Sequence, residues 1–174
     1  MSPNFLRPAV AMAFALALAA CSTPGAPPTT ARSAASRQAM VAAIRAAGAR
    51  DESVINVSAL PDPALATLRD SAQADERAGR LQAAAASLDK ALQANPESPD
   101  LLQQRAELAV LLGDDARAAK LARQSWEIGP RLGPLCARNW QTLVELRQLA
   151  GDEPGAEQAR RQVQGCREAG VPRY

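Results

Sequence analysis

Histidine is absent from the 174 residues. That removes imidazole from every mechanism: no Ser-His-Asp triad, no Cys-His pair and no His-ligated metal. Aromatic residues make up only 3% of the chain, and β-branched residues are scarce, so an all-β fold is not expected. Neither sign of charge dominates. Lys+Arg 20 stand against Asp+Glu 18, spread along the chain for a net charge of +2. A nucleic-acid binder would need a basic face instead. The one long apolar run, over residues 9–20, is a dozen residues, where a membrane span needs about 20. No glycine loop that would cradle a phosphate, no nucleophile elbow and no cluster of metal-ligating residues occurs. What is present is helix-forming: 47% hydrophobic residues, nearly half of them alanine, with clusters of leucine. The length is that of one domain, or one domain plus a tail.

The apolar run follows a single charged residue, Arg7, and ends in small side chains, the order of a secretory signal over residues 1–20. Its last residues, Leu18-Ala19-Ala20-Cys21, resemble the bacterial lipobox. The resemblance implies cleavage before Cys21, a diacylglycerol on its thiol and an acyl chain (palmitate or similar) on the new amino group. Each buried CH₂ contributes about 0.8 kcal/mol, so several such chains hold firmly to a bilayer. Ser22 in place of an acidic residue implies, by the sorting rule of lipobox proteins, the outer membrane. Residues 22–30 are rich in Pro, Ser and Thr and read as the start of a tether that extends to residue 61. Within it, residues 33–47 fit a short helix with Met40, Val41, Ile44 and Ala47 on one side and Gly48 as a stop. Met40, Val41 and Ile44 would cover the first face of the domain that follows.

That domain repeats. A shift of 34 places Leu68 on Leu102, Ala72 on Ala106, Gly79 on Gly113, Ala84 on Ala118 and Pro96 on Pro130. A further shift of 38 places Leu102 on Trp140, Gly113 on Gly151 and Ala118 on Ala156, the four extra residues falling at Arg131-Leu132-Gly133-Pro134. Three units result, over about 63–96, 97–130 and 134–168, within a domain of 62–170 followed by a tail of 171–174. Each reads as two helices. Asp62-Pro63 and Ser98-Pro99 give an N-cap followed by proline at the first helical position, and Asp152-Glu153-Pro154 is a looser form of the same signal. Gly79, Gly113 and Gly151 end the first helix of each pair. Ala84, Leu88, Ala91 and Leu92, then Ala118, Leu121, Ala122 and Ser125, mark the buried stripe of two second helices. Pairs this rich in alanine bury little area each, so stacking must supply the core.

Period, glycine turn, small residues and closing proline together resemble the tetratricopeptide repeat. The resemblance implies an all-α fold, a short solenoid of three helix-turn-helix units. The large residue that opens each unit is Leu68, Leu102 and then Trp140, and the third unit lacks the closing proline. Residues equidistant from a hairpin turn lie at one height, and Gly151 is the midpoint of Cys136 and Cys166. A Cys136–Cys166 bond is therefore expected in an oxidising compartment, with two buried free thiols as the alternative.

The tetratricopeptide likeness also implies a concave face lined by the first helix of each unit. Carried over, its groove positions are Arg69, Gln73 and Glu76, then Gln103 and Glu107, then Arg138, Gln141 and Glu145. These side chains suit an extended peptide or a partner's helix, with glutamates and glutamines too numerous for a basic clamp. Catalysis is not expected, and neither are a cofactor beyond the covalent lipid, a metal or a small-molecule substrate. Asp114 and Asp115 sit at a helix start, where the dipole accounts for them. The lipobox, the Pro-rich tether, the short repeat array and the Ala137-Arg138-Asn139-Trp140 segment together resemble the outer-membrane lipoprotein activators of bifunctional penicillin-binding proteins. That resemblance implies an adaptor that faces the periplasm and docks a peptidoglycan synthase through the groove and Trp140. A pilotin or assembly factor for an outer-membrane secretin or barrel complex is the alternative reading.

Overall fold

A computed structural model describes residues 29–49 and 62–167, with side chains from residue 36. The signal, Cys21 and the tail of 171–174 lie outside the described residues. Seven helices and no strand occur among the described residues: α1 (Thr29–Ala49), α2 (Pro63–Arg77), α3 (Leu81–Ala94), α4 (Pro99–Leu112), α5 (Asp115–Ile128), α6 (Gly133–Leu149) and α7 (Glu153–Gly165). Helices α2–α3, α4–α5 and α6–α7 are the three expected hairpins, and they stack in chain order as a short tetratricopeptide-type solenoid.

Local chemistry sets the boundaries. The Asp62 carboxylate accepts from the N–H of Ala64 at 2.8 Å, Ser98 caps α4, Asp114 caps α5 and Asp152 caps α7. Gly79, Gly113 and Gly151 all have φ between +74° and +81°, the left-handed turn that closes a helix and that side chains with a Cβ resist. Across each hairpin the small residues do what their size permits. Ala84, Ala91, Ala106, Ala118, Ala122 and Ala156 are fully buried at helix contacts. The Ser125 hydroxyl, also buried, donates to the carbonyl of Pro99 at 2.8 Å and so ties α5 to the start of α4.

The third hairpin carries the covalent link. Cys136 and Cys166 are bonded, their Cα atoms 5.6 Å apart. The N–H of Gly133 donates to the carbonyl of Cys166 at 2.7 Å beside the bond. The extra residues of this unit do not lengthen the α5–α6 connection, which at 129–132 matches 95–98 between α3 and α4. Gly133 and Pro134 open α6, at 17 residues longer than the 14 of α4, and the Arg131 guanidinium stacks 3.8 Å from the centre of the Trp126 ring.

Helix α1 departs most from the sequence reading. It is longer than 33–47, beginning at Thr29 and ending at Ala49, and it is docked on α4 and α6 from Arg37 to Gly48. Met40, Val41 and Ile44 are buried, but not over the first unit. They pack with Ala109, Val110 and Ala118 from the second unit and Leu146 from the third. Arg37 meets the end of α4 and Gly48 meets the start of α6, so α1 runs antiparallel to both. Gly48 is no stop. It lies inside α1, and a Cβ there would fall 2.8 Å from Cγ of Arg138 and 3.1 Å from the carbonyl oxygen of Pro134. The glycine lets α1 and α6 approach each other.

Candidate partner-binding groove

The first helices of the units, α2, α4 and α6, line the concave face. Helix α1 lies on two of them, α4 and α6. The groove positions divide accordingly. Gln103 and Glu107 are almost completely shielded from solvent, at 0% and 1% exposure. Arg138, Gln141 and Glu145 are half-buried, and Gln141 donates to Glu145 at 2.8 Å along α6. Arg69, Gln73 and Glu76 on α2 lie beyond the reach of α1's apolar stripe, and with Arg138 and Glu107 they line a cleft of about 560 Å³. Trp140 does not join the groove positions. It packs edge-to-face on Trp126, ring centres 5.1 Å apart, in the α5–α6 interface.

Glu107 is the centre of the buried polar contacts. Its Oε1 accepts from Nε and Nη2 of Arg138 at 2.9 and 2.6 Å and from Nε2 of Gln103 at 3.1 Å. Its Oε2 accepts from Nε of Arg45 at 2.9 Å. The Arg45 Nη2 continues to Glu76 at 2.8 Å. One carboxylate thus joins α1, α4 and α6, and Arg45 extends the chain of charges to α2. A buried carboxylate is tolerable only with this degree of compensation, two guanidinium partners and an amide donor. Gln103 also donates to the Thr142 hydroxyl at 2.9 Å, which itself donates to the carbonyl of Arg138 at 2.9 Å. Burial by itself would lower the pKa of Arg45; the charges and hydrogen bonds of Glu107 and Glu76 outweigh it and hold the pKa above its ordinary value.

A second anchor sits at the opposite end of α1. The Arg37 Nη1 donates to Asp115 at 2.6 Å and to the carbonyl of Val110 at 2.9 Å, satisfying one of the last carbonyls of α4. The hydrogen bond to Asp115 raises the pKa of Arg37, burial opposes it, and the charge of Asp115 adds to the rise. Asp114 and Asp115 therefore have separate structural tasks, one capping α5 and one holding α1. Sequence reasoning named neither Arg37 nor Arg45. Their signal was their spacing: eight residues apart on one helix, they flank the stripe of Met40, Val41 and Ile44.

Among the described residues, no group of three or more His, Cys, Asp or Glu side chains is placed to hold a metal ion, and no helix is long and apolar enough to cross a membrane. A scan of the sequence against protein-family models finds no match, and a search of the curated proteins finds none. Among solved structures, the chain is similar to the globular C-terminal domain of LpoP from P. aeruginosa, at 30% identity and a TM-score of 0.57. The likeness covers 60% of this chain and 99% of that domain. With nearly the whole of that domain matched at this identity, the chain belongs to the LpoP family, in keeping with the resemblance its sequence carries.

Proposed function

We propose that the protein is a lipid-anchored adaptor of the bacterial envelope that binds and activates a bifunctional penicillin-binding protein. It is moored by acyl chains on Cys21 to the periplasmic face of the outer membrane. The observation that carries this reading is the likeness to LpoP over 99% of that domain. The lipobox at Leu18-Ala19-Ala20-Cys21 supports the mooring. The Cys136–Cys166 bond supports an oxidising compartment. The role is one of binding rather than turnover. The acidic pair that would draw attention as catalytic, Asp114 and Asp115, is occupied in capping and in the Arg37 contact.

The test is addition of the mature chain to the purified synthase, with glycan polymerisation followed from a lipid-linked precursor. The rate rises if the reading holds. Absence of both binding and stimulation ends it. In cells, loss of the gene gives β-lactam sensitivity, whereas defective secretin assembly would point to the pilotin reading instead.

A further inference from the structure

Counted along the sequence, the groove positions are dominated by glutamate and glutamine, which argues against recognition of an anion. The fold reverses that balance. In the cleft between α2 and α4, beyond the apolar stripe of α1, Glu76 and Glu107 are already engaged by Arg45 and Arg138 within 2.6–2.9 Å. The cations left over are on α2. Arg69, half-buried, makes no ion pair, and the nearest partner of Arg77 is the carbonyl of Gln73, at 3.3 Å from its Nε. Arg69, Gln73 and Arg77 recur at intervals of four and form one stripe along the cleft, roughly 6 Å between successive members. Against them stands a single acid without an ion pair, Asp70, exposed at the edge. The Gln73 and Gln104 amides offer donors and acceptors to a main chain laid between them.

The occupant is narrowed by α1. Over the second and third units the concave face is taken up by this chain's own helix, with Ile44 fully buried beneath it. What the described residues leave uncovered is a polar cleft of about 560 Å³ between the first unit and α1, α4 and α6, room for a short stretch of peptide rather than for a helix running the length of the array. From this geometry we propose that the cleft binds an extended acidic segment of the partner protein, its carboxylates meeting Arg69 and Arg77. The inference rests on the adaptor reading and assigns the place and the charge of the contact.

The experiment compares four forms of the full mature chain in detergent for affinity to the synthase: wild type, Arg69→Glu with Arg77→Glu, Arg69→Lys with Arg77→Lys, and Arg160→Glu with Arg161→Glu on the outer face of α7. The cleft reversal weakens binding by about tenfold or more and steepens no other property, because opposed charges at the contact become like charges. The lysine pair retains most of the affinity, and the α7 pair changes it less than about twofold, as exposed ion pairs contribute little. Far-UV circular dichroism confirms that all four are folded. Equal affinity for wild type and the cleft reversal, or an equal loss in the α7 pair, overturns the proposal. If the wild type neither binds nor stimulates any synthase, the adaptor reading falls, and hexaglutamate titrated against the full chain then decides the cleft separately. Saturable binding lost on cleft reversal and kept in the α7 pair sustains it, and no binding overturns it.

Discussion

Replacing Glu107 with glutamine changes no shape and removes one charge, so its effect can be worked atom by atom. An amide presents one acceptor oxygen and one NH₂ donor where the carboxylate presented two acceptors. If the oxygen takes the Oε1 position it keeps three donors, Nε and Nη2 of Arg138 and Nε2 of Gln103. In the other orientation it keeps one, Nε of Arg45. The first orientation wins, and the new NH₂ then faces the Arg45 guanidinium, donor against donor. The damage is therefore directed to α1. A charge-assisted hydrogen bond contributes about 1.5–3 kcal/mol. Arg45 retains Glu76 and is 47% exposed, so part of the loss is recovered by water. A cost of about 2 kcal/mol remains, or a fall in Tm of about 6–10 °C for a domain of this size. Calorimetry on the Glu107→Gln chain measures the total. Native-state hydrogen exchange locates it: amides of residues 40–47 exchange faster, while those of the α2–α3 hairpin follow only the global change. A Tm within 1 °C of wild type, or faster exchange spread evenly over all helices, would refute the reasoning.

Three further outcomes follow from particular contacts. Serine at both Cys136 and Cys166 opens a link with a sequence separation of 30 and lowers stability by about 3–4 kcal/mol on the loop-entropy account, read as a shifted urea midpoint. Gly48→Val drives a branched side chain against the Arg138 stem and the Pro134 carbonyl. It costs about 1–3 kcal/mol in the same urea titration, with near-equality to wild type contradicting the close α1–α6 approach. On the proposed anchoring, Cys21→Ala abolishes incorporation of labelled palmitate into the protein, which wild type shows and which an unchanged signal in the variant would contradict.

The repeat itself was legible because its signals are local. A cap with proline after it, a glycine at a left-handed turn and alanine where helices touch are fixed by a few neighbouring residues, and they recur in the same order from unit to unit. The disulfide was legible by the same logic, since hairpin geometry follows from the turn at Gly151. The docked helix was not. Nothing within residues 29–49 states that Met40, Val41 and Ile44 belong to the second and third units rather than the first, because that choice is made by shape and by two distant acids, Glu107 and Asp115. Gly48 shows the same limit. A glycine at the end of a helical pattern reads as a terminus, and only the proximity of Arg138 reveals it as a point of contact. Trp140 reads as an aromatic of a docking face, yet the packing of α6 on α5 sets Trp126 beside it. As for the groove, residue types alone say nothing of which acids are already paired: Glu107 and Glu76 are engaged by Arg45 and Arg138, while Gln103 and Glu107 are shielded from solvent.

The seating of α1 also bears on the mooring proposed at Cys21. Forty residues separate Cys21 from the first hairpin at Asp62, and as a free coil their span would be roughly 35 Å, with a far longer reach at full stretch. The contacts of α1 with its neighbours run from Arg37 to Gly48, and only the seven residues 22–28 stand between Cys21 and the first residue of that helix. At about 3.5 Å per residue they reach no more than roughly 28 Å. On the proposed anchoring at Cys21, the body of the protein stays near the membrane, and the proposed partner must come to it. Any pull on that short line arrives first at Thr29 and is borne by the Arg37–Asp115 clasp before it is felt by the stack.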